Sequence, residues 1–274
     1  MNKLPHLRVA TYNIHKSRGL DRQVDPARIV KVLRELNADI IALQEVVCLE
    51  GGGSELNQGQ FFADKLSYHY CLGEARRLHD ASYGNALLSQ TPIHAMTNYD
   101  LTWRRHERRA CLRIDIELPP GHLLHVFNVH LGLTFTERRY QARKLIGAEI
   151  LGNTTLTGTR VLLGDFNDWM RGLPSRLLAT HLESVDICHH LGHRRTYPGV
   201  LPLIHLDHIY FDPTMQLEQL ILHRSPTALI ASDHVPLVAE FSLLKTNEEA
   251  AWGRKKPPLE EKKRRRRDLF SRGH

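Results

Sequence analysis

Cysteine is scarce and scattered. Cys48, Cys71, Cys111 and Cys188 lie far apart, with no C-x-x-C pair among them. That excludes a disulfide framework and a structural zinc site. The four read as reduced thiols, which behave as small hydrophobes when buried. Long apolar runs are missing too: no window approaches the ~18 apolar residues of a membrane span. Residues 1–7 lack the apolar core of a secretory signal, so the expectation is a soluble, cytoplasmic protein. H-E-x-x-H, a Walker loop and a nucleophile elbow are absent, which turns attention away from the zinc peptidase, nucleotide triphosphatase and serine hydrolase classes. There is no internal sequence repeat.

Charge is the next thing the chain has less of than first appears. The total is +7 over 274 residues, but residues 246–274 hold ten Lys/Arg against five Asp/Glu, leaving the rest with only +2. The basicity belongs mainly to the tail, where Lys262 to Arg267 follow Pro257-Pro258. Such a run reads as disordered. Clusters of this size bind acidic lipid at ~1 kcal/mol per residue near the surface, and they also bind nucleic acid. The body, with 42% apolar and 24% charged residues over the whole chain, supports one large α/β domain. The expected division is a domain over 5–244 and a basic tail over 245–274, which would place the protein in the cytoplasm or peripherally at the inner face of the membrane.

Period and punctuation predict the elements. Leu7 to Tyr12 alternate as a strand ending at Asn13. Asp25-Pro26 opens a helix, with the carboxylate as N-cap and proline in the first turn. Asp39 to Leu43 form a short buried strand that hands over to Gln44-Glu45, followed by a flexible Gly51-Gly52-Gly53-Ser54 loop. Phe61, Phe62 and Leu66 suggest a second helix. Strands of period two are expected over 84–89, 94–101, 110–118 and 122–130, then a helix over 136–151 and strands over 160–163, 206–211, 217–223 and 236–244. Two halves, each with a strand, a helix and antiparallel strands, point to two sheets packed face to face with helices outside.

The chemistry sits where the apolar runs end. Glu45 follows four apolar residues and Gln44, although a lone glutamate is most often solvated. Asp165 and Asn167 lie two apart after Gly164, so on an extended segment they share a face; an Asx-turn closing a strand is the competing reading. Ser232-Asp233-His234 precede the last strand. Asp207 sits in an apolar strand where an unpaired carboxylate is costly, a cost resolved if it orients His234 or meets an arginine. His130 ends a strand and on its own reads as a core residue. Arg109, Arg138 and Gln141 read as surface residues unless the fold turns them inward. Hard oxygen donors such as these suit Mg²⁺ or Mn²⁺, bound through one or two carboxylates plus substrate phosphate.

Taken in order, Asn13, Glu45, Tyr83-Gly84-Asn85, Arg109, His130, Arg138-x-x-Gln141, Gly164-Asp165-Phe166-Asn167, Asp207 and Ser232-Asp233-His234 resemble the endonuclease/exonuclease/phosphatase (deoxyribonuclease-I-like) superfamily. That group includes apurinic endonucleases, inositol-polyphosphate phosphatases and neutral sphingomyelinases. The resemblance covers about residues 5–244. Tyr83 to Ser89, Val129 to Leu133 and Arg195-Thr196-Tyr197-Pro198 look most like a compact bacterial subfamily of unassigned substrate.

The resemblance implies a four-layer αββα sandwich with mixed and antiparallel sheets. It implies Mg²⁺, with Mn²⁺ as a substitute, on Asn13, Glu45 and Asp233. Asp165 would orient or deprotonate the attacking water, with Asn167 on the phosphate. His234 would stabilise the developing charge, held by Asp207, and His130 would contact a phosphoryl oxygen or the leaving group. Tyr83, Asn85, Arg109, Arg138 and Thr196 would bind substrate.

The leading expectation is therefore a metal-dependent phosphodiesterase or phosphomonoesterase on a small or phospholipid-derived ester, with no obligate protein partner. The runner-up is a DNA or RNA endonuclease or exonuclease. The near-neutral body argues against it, because duplex affinity rests on phosphate neutralisation by Lys/Arg; the basic Trp103-Arg104-Arg105-His106 loop argues for it. An inactive binding module tethered by the tail is a third possibility, disfavoured by the retention of every acidic and histidine position.

Overall fold

The computed structural model describes residues 6–49, 54–119, 121–168, 172–184, 196–197 and 205–243. Twelve strands form two six-stranded sheets. The first sheet contains β1 (His6–Asn13), β2 (Ile40–Leu49), β3 (His69–Leu78), β4 (Ala81–Ser89), β11 (Met215–Leu222) and β12 (Leu237–Leu243), in the order β11-β12-β1-β2-β4-β3. The second contains β5 (Ile93–Asp100), β6 (Ala110–Leu118), β7 (His122–His130), β8 (Thr159–Asp165), β9 (Glu183–Ser184) and β10 (Asp207–Phe211), in the order β5-β6-β7-β8-β10-β9.

Each sheet is built around one parallel pair. β1 and β2 are joined through α1 (Pro26–Leu36), and β7 and β8 through α3 (Phe135–Leu145); every other pairing is antiparallel. Asp25 caps α1 by accepting from Arg28 N at 2.9 Å, and Thr134 and Glu137 form a reciprocal capping box on α3, satisfying amides that a helix start leaves free. The chain thus repeats its topology without repeating its sequence.

Alternation within the strands makes the layers. Val9, Ile40 and Ala42 face the other sheet and join Ile114, Val126 and Leu163. Their neighbours Ala10, Ile41 and Leu43 face the opposite way, onto Ile29, Leu33 and Leu36 of α1 and Phe61 and Phe62 of α2 (Gln58–Leu66). Phe127, Val129 and Leu162 pack outward under Leu145 and Leu151. A strand buried on both faces needs apolar residues at both parities, and the four-layer αββα sandwich follows.

The helix expected over 136–151 stops at Leu145. Beyond it Leu151 N donates to Leu145 O and Gly152 N to Gly147 O, in a turn that still delivers Leu151 to the core. β3 was not foreseen: it is an edge strand whose half-exposed, charged residues carry no clean period. The Gly51–Gly53 loop, Cys188 and the basic tail lie outside the described residues. No helix among the described residues is long and apolar enough to cross a membrane.

Candidate active site

Both parallel pairs end at the same rim. Register places Asn13 level with Gln44, and His130 level with Asp165, while the antiparallel start of β10 sets Asp207 opposite Asp165. Ligands of such sheets sit outside the carboxyl ends of the parallel strands. Here a cavity of about 480 Å³ opens there, lined among others by Asn13, Glu45, Tyr83, Arg109, His130, Asp165, Asn167, Asp233 and His234.

Backbone irregularities aim the two acids. β2 carries a bulge in which Gln44 and Glu45 oppose the single residue Asn85, and Glu45 has φ +60°. A bulge re-aims a side chain, and a non-glycine left-handed residue is a conformation the surroundings must enforce. In β8 the device is Gly164, at φ +146°, where a Cβ would strike the Val129 carbonyl. Asn167, two residues after Asp165, is also left-handed at φ +49° and turns its backbone N–H onto Asp165 Oδ1 at 2.9 Å.

Asp165 Oδ2 is the point of convergence. Asn13 Nδ2 donates to it at 3.0 Å, and the Nε2 atoms of His130 and His234 stand 3.5 and 3.6 Å away. The other nitrogen of His234 pairs with Asp207 Oδ2 at 3.0 Å, both side chains being buried. Ser232 Oγ donates to Asn13 O at 2.8 Å and accepts from His234 N at 3.2 Å, tying the last loop to the end of β1. Tyr197 lies against the His234 ring, 4.9 Å between centroids.

Burial pushes Asp165 upward, and the neighbouring Asp207 charge adds to this; His234, Asn13 and the Asn167 N–H oppose it, and the carboxyl settles at about 6. For His234 burial favours the neutral ring, but the Asp207 and Asp165 charges overcome it and raise the imidazole to about 10. His130 moves the other way, kept neutral by burial and by the Arg109 charge.

Glu45 shares the Asn13 amide with Asp165. Asn13 Nδ2 donates to Glu45 Oε1 at 3.3 Å and Lys16 Nζ to its Oε2 at 2.6 Å. Burial alone would raise its acid; a charged His130 and the Lys16 bond and charge outweigh that and hold it at about 2. Since His130 is itself neutral near pH 7, the Lys16 ammonium is the lasting partner. Glu45 is thus ionised throughout the physiological range.

Glu45 suits a hydrated Mg²⁺ that takes one or two carboxylates and completes its shell with water and substrate phosphate. Asn13 turns its Nδ2 to Glu45, and its Oδ1, which accepts from His15 N at 3.0 Å, keeps a second lone pair for an ion. The arrangement is not a closed cage: among the described residues no group of three or more His, Cys, Asp or Glu is spaced to hold a metal ion. The expected ligand set divides accordingly. Asn13 and Glu45 adjoin, while Asp233 lines the cavity but leans toward His15 Nδ1 at 3.7 Å and Ser232 Oγ at 3.3 Å.

Three residues expected to touch substrate have other occupations. Asn85 is buried and donates to Ala110 O and Asn128 O at 3.0 and 3.3 Å, stitching the sheets together. Arg138 spends its guanidinium on the Gly132 and Leu133 carbonyls at 3.3 and 2.6 Å, and Gln141 beside it accepts from Gly132 N at 2.8 Å. Thr196 accepts from Leu206 N and Val235 N at 3.2 and 3.0 Å. All three are buried polar groups whose partners are backbone, so they shape the cavity's loops instead of lining it. Directly beneath the rim Gln44 Nε2 donates to Asn128 Oδ1 at 2.8 Å, and Asn128 Nδ2 to Leu43 O and Ala86 O, a fully buried bridge between the sheets.

Lys16, Arg76 and Glu107 line the cavity without having been foreseen. Lys16 sits in a left-handed run, with φ +46°, +58° and +62° at His15, Lys16 and Ser17, which no residue pattern announces. Arg76 belongs to the unforeseen β3. Tyr197 adjoined a quoted motif but had no assigned role.

Comparison with known proteins agrees with this geometry. The model of the Endonuclease/Exonuclease/phosphatase family matches residues 10–234. The protein YbhP of Escherichia coli K12, described only as uncharacterized, is 32% identical over 258 residues, covering 86% of this chain and 96% of YbhP. Among solved structures, an endonuclease/exonuclease/phosphatase family protein from Bacteroides thetaiotaomicron superposes with a TM-score of 0.73 at 18% identity, covering 88% of this chain and 99% of that one. A mannosyl-6-phosphatase from the same organism gives 0.70 at 18% identity, covering 86% and 100%. The human Nocturnin catalytic domain with bound sulfate gives 0.69 at 18%, covering 89% and 96%. At those identities the structures speak for the fold; the match of the family model from Ala10 within β1 to His234, and the likeness to YbhP over 86% of the chain, go further. The chain belongs to the endonuclease/exonuclease/phosphatase family.

Proposed function

We propose that this protein is a Mg²⁺-dependent hydrolase of a small phosphate ester. The observation that carries the reading is the meeting of Asn13, His130 and His234 on one oxygen of Asp165, with an ionised Glu45 on the same Asn13 amide. Asp165, ionised above about pH 6, accepts a proton from water as that water attacks phosphorus in line with the leaving group. His234, charged and held by Asp207, places an imidazolium where negative charge gathers on the phosphoryl oxygens. Neutral His130 offers a ring N–H to the phosphoryl or leaving oxygen. Asn167 gives one amide N–H to Leu131 O at 2.9 Å and keeps the other for the phosphate. Glu45 and Asn13 would hold the metal ion, which when bound neutralises charge on the phosphoryl oxygens as a Lewis acid.

The cavity of about 480 Å³ has the size of a small-ligand site, which favours a small ester over a duplex. A fold shared with a mannosyl-6-phosphatase is compatible with that preference. The tail over 246–274 supports a separate proposal, that the protein docks on acidic lipid, and this rests on its charge alone. The test of activity is phosphate or nitrophenol release from sugar phosphates, inositol phosphates, bis-p-nitrophenyl phosphate, phospholipid head groups, abasic and duplex DNA, and RNA, with Mg²⁺ and with EDTA. Hydrolysis of a small ester that EDTA abolishes is the expected result. Turnover confined to nucleic acid would transfer the reading to a nuclease, and turnover indifferent to EDTA would remove the metal from it.

A further inference from the structure

A cationic wall flanks the reacting groups and touches the chemistry above only through the Arg109 charge on His130 and the Lys16 pair with Glu45. Arg109 Nη2 donates to Glu107 Oε2 at 2.8 Å, and Arg76 Nη2 forms an ion pair with Glu107 Oε1 at 3.0 Å. The Arg76 guanidinium lies over the Tyr83 ring, 4.8 Å from its centroid, and Lys16 Nζ approaches the same ring at 5.5 Å. Arg109 is 95% buried, yet its Nε has no hydrogen-bond partner, and neither has the Nε of Arg76. A guanidinium has five N–H donors and each of these two meets Glu107 through one nitrogen, so donors stand in excess, and on the buried Arg109 they do so where water has limited access. Lys16, Arg76 and Arg109 gather on this side with Glu45 and Glu107, while the cavity's other two carboxylates, Asp165 and Asp233, go with the histidines. A buried guanidinium with spare donors is expensive unless an acceptor arrives.

The wall leads away from Asp165. Arg109 stands beside His130, whose ring its charge keeps neutral, while Arg76 belongs to β3, three strand positions from β1, roughly 14 Å between strand axes at ~4.8 Å per strand. A phosphate held at Asp165, Asn13 and His234 leaves Arg76 to receive another. We infer that Arg76, Glu107 and Arg109 form a second anion subsite, and that the substrate is a small phosphoester bearing a second phosphate group. Glu107 keeps the two guanidinium planes aligned while the subsite is vacant, and bidentate Arg–phosphate pairing supplies the recognition. The phosphoesterase reading decides which phosphate is cleaved; binding of the second one is measurable without it.

The test titrates the Asp165→Asn protein calorimetrically, in Mg²⁺, with fructose 6-phosphate and with fructose 1,6-bisphosphate. It then repeats both titrations with Arg76→Gln, Glu107→Gln or Lys31→Gln added. Lys31, exposed on α1, controls for the loss of one positive charge. The bisphosphate is expected to bind at least tenfold tighter. Arg76→Gln, at a half-exposed position that folding tolerates, cuts that preference about tenfold. Glu107→Gln increases it, a gain that damage to the fold does not produce, and Lys31→Gln changes it less than twofold. Absence of a preference, or equal losses from Arg76→Gln and Lys31→Gln, overturns the subsite. Phosphate release by the wild-type protein is followed in parallel. A preference that depends on Arg76 with no turnover of any ester leaves the subsite standing and removes the hydrolase. Turnover without the preference does the reverse.

Discussion

The two halves of the molecule use one topology for two electrostatic ends. β1-α1-β2 and β7-α3-β8 each bring a polar strand end and an acid to the rim: Asn13 with Glu45, and His130 with Asp165. Glu45 keeps 16% of its side chain exposed and, against the effect of burial, the His130 charge together with the Lys16 ammonium holds its acid near 2. Asp165 keeps 2% and faces Asp207, which with burial lifts it to about 6 despite His234. One carboxylate is permanently charged and suits a cation. The other sits where a proton can be taken up and released near neutrality. The difference arises from neighbours and exposure, since the strands that carry the two acids are equivalent in the sheets.

The contrast is broken most severely by neutralising each acid in turn. Glu45→Gln is expected to lower kcat/KM at low Mg²⁺ by about 10²–10³-fold, on the scale of a lost metal or general-base interaction, with activity returning as Mg²⁺ is raised. Asp165→Asn is expected not to recover at any Mg²⁺ concentration. Steady-state rates over a Mg²⁺ series decide this, and equal recovery of both variants would erase the distinction.

A smaller break comes from Asp207, which acts through His234. Asp207→Asn should lower kcat roughly 10–100-fold, less than removal of the acid–base group itself. The direction of its pH effect is fixed by the sign of each shift. Asp165 works ionised, so the rate falls as pH drops through about 6; His234 works protonated, so the rate falls as pH rises through about 10. Loss of Asp207 removes the largest influence raising His234, so the alkaline limb must move down. A kcat–pH profile with an unmoved alkaline limb contradicts the pairing.

The halves also differ in how the backbone reaches the rim, by a bulge in β2 and by Gly164 in β8. Gly164→Ala combines a left-handed φ with a Cβ driven into the Val129 carbonyl. The cost is about 3 kcal/mol, from strain and overpacking of ~1–3 kcal/mol each, a Tm decrease of roughly 6–12 °C for a domain of this size. Calorimetry checks it, and an unchanged Tm would mean that β8 relaxes freely. The mildest change is Lys16→Met. Lys16 is 40% exposed, so its pair with Glu45 is worth at most ~1 kcal/mol. Removing the competing ammonium should tighten Mg²⁺ binding about two- to fivefold by calorimetric titration; weaker binding would mean that Lys16 helps to build the metal site.

Much of this arrangement was legible in the residues, because alternation and strand endings are local. β1 ending at Asn13 and α1 opening at Asp25-Pro26 are where the pattern puts them, whereas the strand expected to end at Leu43 runs on to Leu49 and carries Glu45 in a bulge. The cost of an unpaired buried carboxylate asked for a partner to Asp207, His234 or an arginine, and the structure supplies His234. What escaped depends on distant partners. A buried polar residue that crosses between sheets, such as Asn85, has the same local signature as one that touches substrate. Arg138 and Thr196 likewise reveal their backbone partners only in three dimensions. Arg76 and Glu107 come from an edge strand and a loop, where charged residues are the rule, so nothing nearby marks them as cavity wall. The left-handed turn at His15 to Ser17 has no glycine to announce it.

The most direct test is kcat of the wild-type and Asp165→Asn proteins on the best small phosphoester found, at saturating Mg²⁺, with matching circular dichroism spectra. A loss of about three orders of magnitude is the expected result. Rates within a factor of about two of one another would contradict the assignment of Asp165, and with it the role given to the converging strand ends.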